Sequence, residues 1–291
     1  MQQILNGVFS GSIYALFAIG FTLVFGVLDR LNLAHSAVFT ASAFVGIELV
    51  VRGDLPIWLA IPAVAVFGAI LGIVIERVAF RPLADRNDAH FAGLISSIAV
   101  GGMFIALLQA RYGPDTQRFP PDTFPATAFE FAGARITLLQ IVILGVAFGL
   151  MFALAYLVNS TSLGRAMRAV AESPRAARVL GINVDRVTST TFALSSALGA
   201  VAGVLLALNV NTARMDMGFA IELKGLAVII VGGMGSLRGA MIGGLLLGLT
   251  EVFAVQYIGS SWRDVIAFGL LFAILLVRPQ GMFGVRRLRE V

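Results

Sequence analysis

Long apolar runs without a single charge alternate along the chain with short polar connections. Five of these runs reach the length of about 20 residues that a helix needs to cross a membrane. They are Ile4–Leu28, Leu55–Ile75, Phe91–Ala110, Ile136–Leu163 and Val187–Ala213. The pattern therefore predicts a polytopic membrane protein with an all-α fold.

Four weaker segments raise the expected number of membrane crossings. Each is short or carries a polar or charged residue: Leu33–Val51, Gly225–Leu237, Gly239–Gly259 and Val265–Val277. We therefore expect about eight to nine transmembrane helices, all within a single transmembrane domain that spans residues 1–291. The first apolar run is too long for the core of a signal peptide and no basic stretch precedes it, so we expect it to be retained as a span.

Composition agrees with a membrane protein and excludes several kinds of site. The mean hydropathy is +0.93 and 13% of the residues are charged, which is roughly half the charged share of a soluble domain. The chain has no cysteine, which excludes disulfides and thiolate metal sites. His35 and His90 are far apart in sequence with no ligand spacing around them, so no metal site is predicted.

The basic residues predict which side of the membrane each end of the chain faces. The sequence pI of about 10.4 is explained by arginines retained in the cytoplasm, without nucleic acid as a partner. With the N-terminus outside, the cytoplasmic side collects two thirds of the 21 basic residues. They are Arg30, Arg77, Arg81, Arg86, Arg165, Arg168, Arg175, Arg178, Arg186, Arg238, Arg278, Arg286, Arg287 and Arg289. Nine crossings then place the C-terminus in the cytoplasm, whereas eight crossings fit the charges worse.

The longest predicted external loop covers residues 111–135. Its four prolines and mixed charges argue against a membrane span and favour an ordered loop. Two uses remain open, a simple linker and a docking surface for a partner outside the membrane.

A basic segment of residues 164–187, GRAMRAVAESPRAARVLGINVDRV, interrupts the apolar chain with five arginines. Helical spacing places Arg165, Arg168 and Glu172 on one face and an apolar stripe around Met167 on the opposite face. The segment is therefore predicted to form an amphipathic helix at the cytoplasmic surface.

A second short helix is predicted directly after the first. Ser173 is a typical N-cap, the next residue is a first-turn proline, and Gly181 is a typical C-terminal glycine. The small residues Ala176 and Ala177 lie between Arg175 and Arg178. Composition alone leaves two interpretations open: a hairpin resting on anionic lipid headgroups, or a helix that inserts into a groove of a partner protein.

Several motifs resemble known importer permeases. RAARVLG, which is Arg175–Gly181, is similar to the EAA loop of ABC importer permeases, although Arg175 stands where the general motif has glutamate. The whole 164–187 string looks like the smaller permease type of branched-chain amino-acid importers. NGVFSGSIYALFAIGFTLVFGV with LNLAH, ERVAFRPL, and VGGMGSLRGAMIGGLLLGLTE resemble other parts of the same family.

The resemblance implies uptake of branched-chain or other amino acids, or of similar small solutes such as amides, urea or small aromatic acids, across a bacterial cytoplasmic (inner) membrane. It implies four partners: a second related permease subunit, two ATPase subunits and an external solute-binding protein, besides membrane lipid. ATP and Mg would bind to the ATPase subunits, and no cofactor is expected on this chain. The residues expected to couple to the ATPase are Arg165, Arg168, Glu172, Ser173, Arg175, Ala176, Ala177, Arg178 and Gly181.

Glycine spacing and missing motifs argue against an enzyme. Gly235, Gly239 and Gly243 recur every four residues, which favours close helix–helix packing in a membrane. The chain has neither a G-x-x-x-x-G-K-[ST] phosphate loop nor a complete dinucleotide fingerprint. We therefore predict a transport subunit without ATPase activity of its own.

Polar residues at membrane depth are candidates for a translocation path, because each is costly unless it faces protein or water. Asn32, His35 and Ser36 are the preferred candidates, since they open the second span inside the family-like motif; simple helix–helix contact is the alternative. Two rival functions remain open at this point. One is a stand-alone channel or ion-driven secondary transporter, and the other is a membrane scaffold.

Overall fold

The computed structural model describes residues 1–83, 89–120, 123–125, 127–131, 133–278 and 280–284. Within these ranges the chain forms eleven α-helices and one antiparallel β-hairpin. The helices are α1 (Gln2–Leu28), α2 (His35–Val51), α3 (Ile57–Ile75), α4 (Ala89–Tyr112), α5 (Leu138–Ser160), α6 (Ser162–Glu172), α7 (Pro174–Val179), α8 (Val184–Val210), α9 (Met217–Gly232), α10 (Leu237–Tyr257) and α11 (Arg263–Val277), and the strands are β1 (Ala128–Phe131) and β2 (Ala134–Thr137). Arg86, Arg286, Arg287 and Arg289 of the charge count lie outside the described residues.

Seven helical segments of the described chain are long and apolar enough to cross a membrane. They contain α1, α3, α4, α5, α8, α10 and α11, and the 17-residue α2 is a shorter apolar helix. The predicted all-α polytopic fold is therefore confirmed, with the small hairpin in the predicted external loop as the one addition. Each of the five strong apolar runs corresponds to one of the seven segments.

The predicted short span Gly225–Leu237 is wrong. The helix in this region is α9, which begins at Met217 and ends at Gly232. The sequence pattern missed its first half because Glu222 and Lys224 interrupt the apolar run, yet both residues are buried inside the bundle.

The loops of the bundle gather at two ends. At one end, which we call the hairpin end, Gln2 donates a hydrogen bond to the Arg135 carbonyl in β2, and Gln117 pairs with Ala213. At the other, which we call the elbow end, Arg81 lies 3.2 Å from Asp185. Apart from the short helices α6 and α7, successive helices point alternately towards one end and the other.

The centre of the bundle consists of α1, α2 and α8, whose residues dominate the buried core. The antiparallel pair α1 and α10 packs backbone against backbone, because a Cβ added at Gly248 would lie 2.3 Å from the Gly11 Cα, and one at Gly244 would lie 2.5 Å from the Ala15 Cα. In membranes, small residues allow this close approach of helices.

The predicted glycine stripe is only partly helical. Gly239 and Gly243 lie in α10 and face the α9 backbone at Gly232 and Val228. Gly235 lies outside α10, in the α9–α10 turn at φ 85°, because α10 begins only after the Ser236 N-cap.

Candidate functional site

A bent helix pair protrudes from the elbow end. Helices α6 and α7 meet at Ser173, whose hydroxyl accepts a hydrogen bond from the Ala176 N–H at 3.2 Å, and Pro174 occupies the first helical position. Helix α7 is followed by Gly181 at φ 81°, a left-handed conformation that glycine adopts without strain. The geometry agrees with the two helices and the bend that the sequence predicts.

Helix α6 is attached to the bundle by its apolar face. Met167 and Val170 are fully buried, and the Arg168 guanidinium donates a hydrogen bond to the Val158 carbonyl near the end of α5. Thr161 joins the two helices, since its backbone N–H caps α5 and its hydroxyl accepts from the Gly164 N–H. The apolar stripe of α6 is therefore occupied by the protein itself and is not free to lie on lipid.

Helix α7 presents a mixed apolar and basic surface to its surroundings. Val179 and Leu180 are 87% and 77% exposed, and Arg175 and Ala176 are also exposed. We call these four residues the α7 patch. Exposed apolar side chains rimmed by charges are typical of a protein interaction site. The sequence motifs did not single out Val179 and Leu180, although two adjacent apolar residues before a helix-ending glycine are a recognisable signal.

Ala177 was predicted to belong to the docking surface, and this prediction is wrong. Its side chain is 1% exposed and belongs to the hydrophobic core. Successive residues of a helix point about 100° apart, and here Ala176 faces outward while Ala177 packs against the bundle. Arg178 lies 4.0 Å from Asp185, whereas Arg165 and Glu172 are exposed on α6.

Two helices begin inside the bundle instead of at its surface. Residues 29–34 are non-helical, and α2 then begins at His35, whose ring faces Gly20 of α1 and Gly199 of α8. Gly20 precedes the end of α1 by about 12 Å at the helical rise of 1.5 Å per residue. Helix α9 begins next to the same place, because a Cβ at Gly218 would lie 2.2 Å from the Ser36 carbonyl. Two helix N-termini therefore meet inside the helix bundle.

The polar residues at this meeting point are enclosed by protein. His35 is 0% exposed and lies against the Phe17 ring at a centroid distance of 4.7 Å. The Ser36 hydroxyl donates to Glu222 Oε2 at 2.8 Å. Asn32 Nδ2 and Glu222 Oε1 are buried without a hydrogen-bond partner among the described residues. Buried polar atoms left without a partner are rare, and here one donor and one acceptor lie close to the start of α2.

A buried charge cluster joins four helices towards the hairpin end. Glu251 of α10 is 0% exposed and accepts a hydrogen bond from the Tyr14 hydroxyl at 2.8 Å. Lys224 of α9 and Arg263 of α11 each approach its carboxylate at 2.5 Å. Breaking a buried ion pair is strongly destabilising, so we interpret the cluster as a structural link between α1, α9, α10 and α11.

A family model described as branched-chain amino acid transport system / permease component matches residues 3–275. The chain is 38% identical to the high-affinity branched-chain amino acid transport system permease protein BraD of Pseudomonas aeruginosa, over 98% of this chain and 95% of the relative. It is 37% identical to LivH of Escherichia coli over the same shares. It is also 26% identical to a ribose import permease protein of Haemophilus influenzae, over 99% of this chain and 88% of the relative.

Among solved structures, PsaBC from Streptococcus pneumoniae in complex with Fab is similar in fold, with a TM-score of 0.53, 12% identity, and coverage of 97% of this chain and 94% of that chain. Fold and relatives together define a multi-pass membrane permease, a component of a transport system. The chain belongs to the branched-chain amino acid transport system permease family.

Proposed function

We propose that this chain forms half of the membrane core of an ATP-driven importer for branched-chain or other amino acids or similar small solutes. The observation that carries the proposal is the α7 patch. It offers exposed apolar and basic side chains outside the bilayer, while the apolar face of α6 is already buried against the chain's own helices. A hairpin that only rests on lipid would have kept that face for the membrane.

In this proposal the elbow end faces the cytoplasm of a bacterial cell and the hairpin end faces outward across the cytoplasmic membrane. The bias of basic residues towards the elbow end supports this orientation. Two separate ATPase subunits would bind ATP and Mg and receive the α7 patch, a second related permease would complete the core, and an external solute-binding protein would deliver solute at the hairpin end.

We propose that the translocation path passes through the meeting point of α2 and α9. Helix N-termini carry partial positive charge, which favours a carboxylate group nearby. Asn32 offers an unpaired N–H donor and Glu222 an unpaired acceptor, which suits a solute that carries both a carboxylate and an ammonium group. His35 and Ser36 line the same region between α1, α8 and α9.

Reconstitution in proteoliposomes tests the proposed function. The permease pair, the ATPase subunits and the binding protein together are expected to take up leucine, isoleucine or valine only when ATP is supplied. The purified chain alone is expected to hydrolyse no ATP, because it lacks a phosphate loop. Solute uptake by this chain without ATPase subunits would contradict the proposal and favour a stand-alone channel or an ion-driven transporter.

Cysteine labelling tests the orientation, since the chain has no native cysteine. We expect a cysteine at Thr116, at the hairpin end, to react with a membrane-impermeant maleimide on intact cells. A cysteine at the exposed Ala176, in a chain expressed without the ATPase subunits so that the α7 patch is uncovered, should react only after the cells are opened. Labelling of both positions from the same side would refute the orientation, and the unsubstituted chain is the background control.

A further inference from the structure

A polar cavity opens at the elbow end, away from the meeting point of α2 and α9. Its volume is about 780 Å³, within the range of small-molecule sites. Its walls are the end of α1, the chain after α3, helices α6 and α7, and the start of α8. Glu76, in this wall, begins a π-helical turn over Glu76–Phe80, and such turns occur frequently at functional sites.

The charges around this cavity are balanced. Among the residues that the structure describes, four carboxylates line it: Asp29, Glu76, Glu172 and Asp185. Four guanidinium groups line it as well: Arg30, Arg81, Arg175 and Arg178. A polyanion such as a nucleotide would meet the carboxylates, and a simple cation would meet the arginines. The balance favours a ligand that is neutral overall and carries both signs of charge.

Some of these charges are available to a ligand. Asp185 is already engaged by Arg81 at 3.2 Å and by Arg178 at 4.0 Å. Within the described residues, Glu172 and Arg175 form no ion pair with each other or with a third group. Glu76 is buried and accepts a single hydrogen bond, from the Ser189 hydroxyl at 3.0 Å.

The inner wall of the same cavity is apolar. Phe80 and Phe192 line it with their ring centroids 4.9 Å apart, and Val27 and Val170 lie alongside. An aliphatic side chain placed there would leave water, while its charged end stayed among the carboxylates and arginines.

We propose that this cavity is a regulatory site for a zwitterionic amino acid with an apolar side chain, namely the imported solute once it has accumulated in the cytoplasm. The ammonium group would contact Glu76 or Glu172, and the carboxylate would contact Arg175. A bound solute would join the elbow helices to the end of α1 and engage Arg175 of the α7 patch, so that import slows as product accumulates. The identity of the solute rests on the proposed function.

The test is leucine binding to the permease–ATPase complex in lipid nanodiscs, without the binding protein. We expect saturable binding of radiolabelled leucine to the wild type. Thr188→Phe fills the cavity, and Glu76→Gln removes one charge but keeps an acceptor for Ser189. Thr188→Phe should weaken binding about tenfold or more because it occupies the space of the ligand. Glu76→Gln should weaken binding about tenfold or more, the size expected for one charged hydrogen bond. Thr190→Phe, an exposed position on the same helix that does not line the cavity, should bind like the wild type.

Two leucine analogues and an uptake measurement complete the test. 4-Methylpentanoate lacks the ammonium group and 3-methylbutylamine lacks the carboxylate, and each should bind about tenfold more weakly or worse. Leucine loaded inside proteoliposomes should slow uptake by the wild type and by Thr190→Phe, but not by Glu76→Gln.

Leucine uptake without saturable binding in nanodiscs, or with Thr188→Phe and Glu76→Gln binding like the wild type, overturns the regulatory site and leaves the proposed function intact. Failure of the complete complex to take up any amino acid or similar small solute in an ATP-dependent manner overturns both.

Discussion

The Gly248→Leu permease is expected not to accumulate in folded form. A Cβ at position 248 would lie 2.3 Å from both the Cα and the N of Gly11 and 2.6 Å from the Gly7 carbonyl. These are backbone atoms of the central helix α1, so the clash can be relieved only by separating α1 from α10. Overpacking of side chains alone costs about 1–3 kcal/mol, and a backbone clash in the core exceeds that against a typical stability of about 5–15 kcal/mol.

The measurement is the yield of monodisperse detergent-extracted protein and its melting temperature. Gly145→Leu on α5 is the matched control, because a Cβ there meets nothing within 4 Å. It should give wild-type yield and melting temperature. A Gly248→Leu protein that purified and melted like this control would show that the α1–α10 contact is not as close as described.

The Ala176→Trp permease, by contrast, is expected to insert and fold normally but to lose transport. Ala176 is exposed at the centre of the α7 patch, so the bulky indole disturbs no contact within the chain. It would overpack the contact between α7 and the ATPase subunit at a cost of about 1–3 kcal/mol or more in binding free energy. This cost corresponds to a loss of roughly tenfold or greater in affinity for the ATPase. The measurements are co-purification of the ATPase subunits and solute uptake.

Ser162→Trp is the control, since it places the same side chain at an exposed position at the far end of α6. Its uptake should equal that of the wild type. Ala177→Trp should instead reduce the yield of folded protein, because Ala177 is buried. Full ATPase recovery and full uptake by Ala176→Trp would refute docking at the α7 patch.

Hydrophobic periodicity was sufficient to predict the long helices, because every strong apolar run must be buried in the protein or face lipid along its whole length. Hydrophobic periodicity failed where charged residues are buried. Glu222 and Lys224 have partners inside the bundle, Ser36 and the Glu251 cluster respectively. A hydropathy pattern cannot see such partners, and it therefore placed the start of α9 too late.

Local capping signals predicted the bend at Ser173 because they depend only on neighbouring residues. The facing of individual residues required the tertiary structure. Ala176 and Ala177 are chemically identical, and only packing against the bundle decides that one is exposed and the other buried. For the same reason no sequence pattern indicated that α2 begins deep in the bundle, although its first residues His35 and Ser36 were named as candidates.

The connection at Thr161 means that α6 and α7 can transmit force from outside the bundle to its interior. Helix α6 is pinned to α5 through Thr161 and Arg168, while α7 continues through a few residues into α8. Helix α8 is a stiff rod that passes Gly199, beside His35, about 22 Å from its first residue at the helical rise. Because α6 is held against α5, a push on α7 would therefore be transmitted to α8. The displacement would reach Gly199 and His35 at the start of α2, without any part of α6 or α7 entering the membrane.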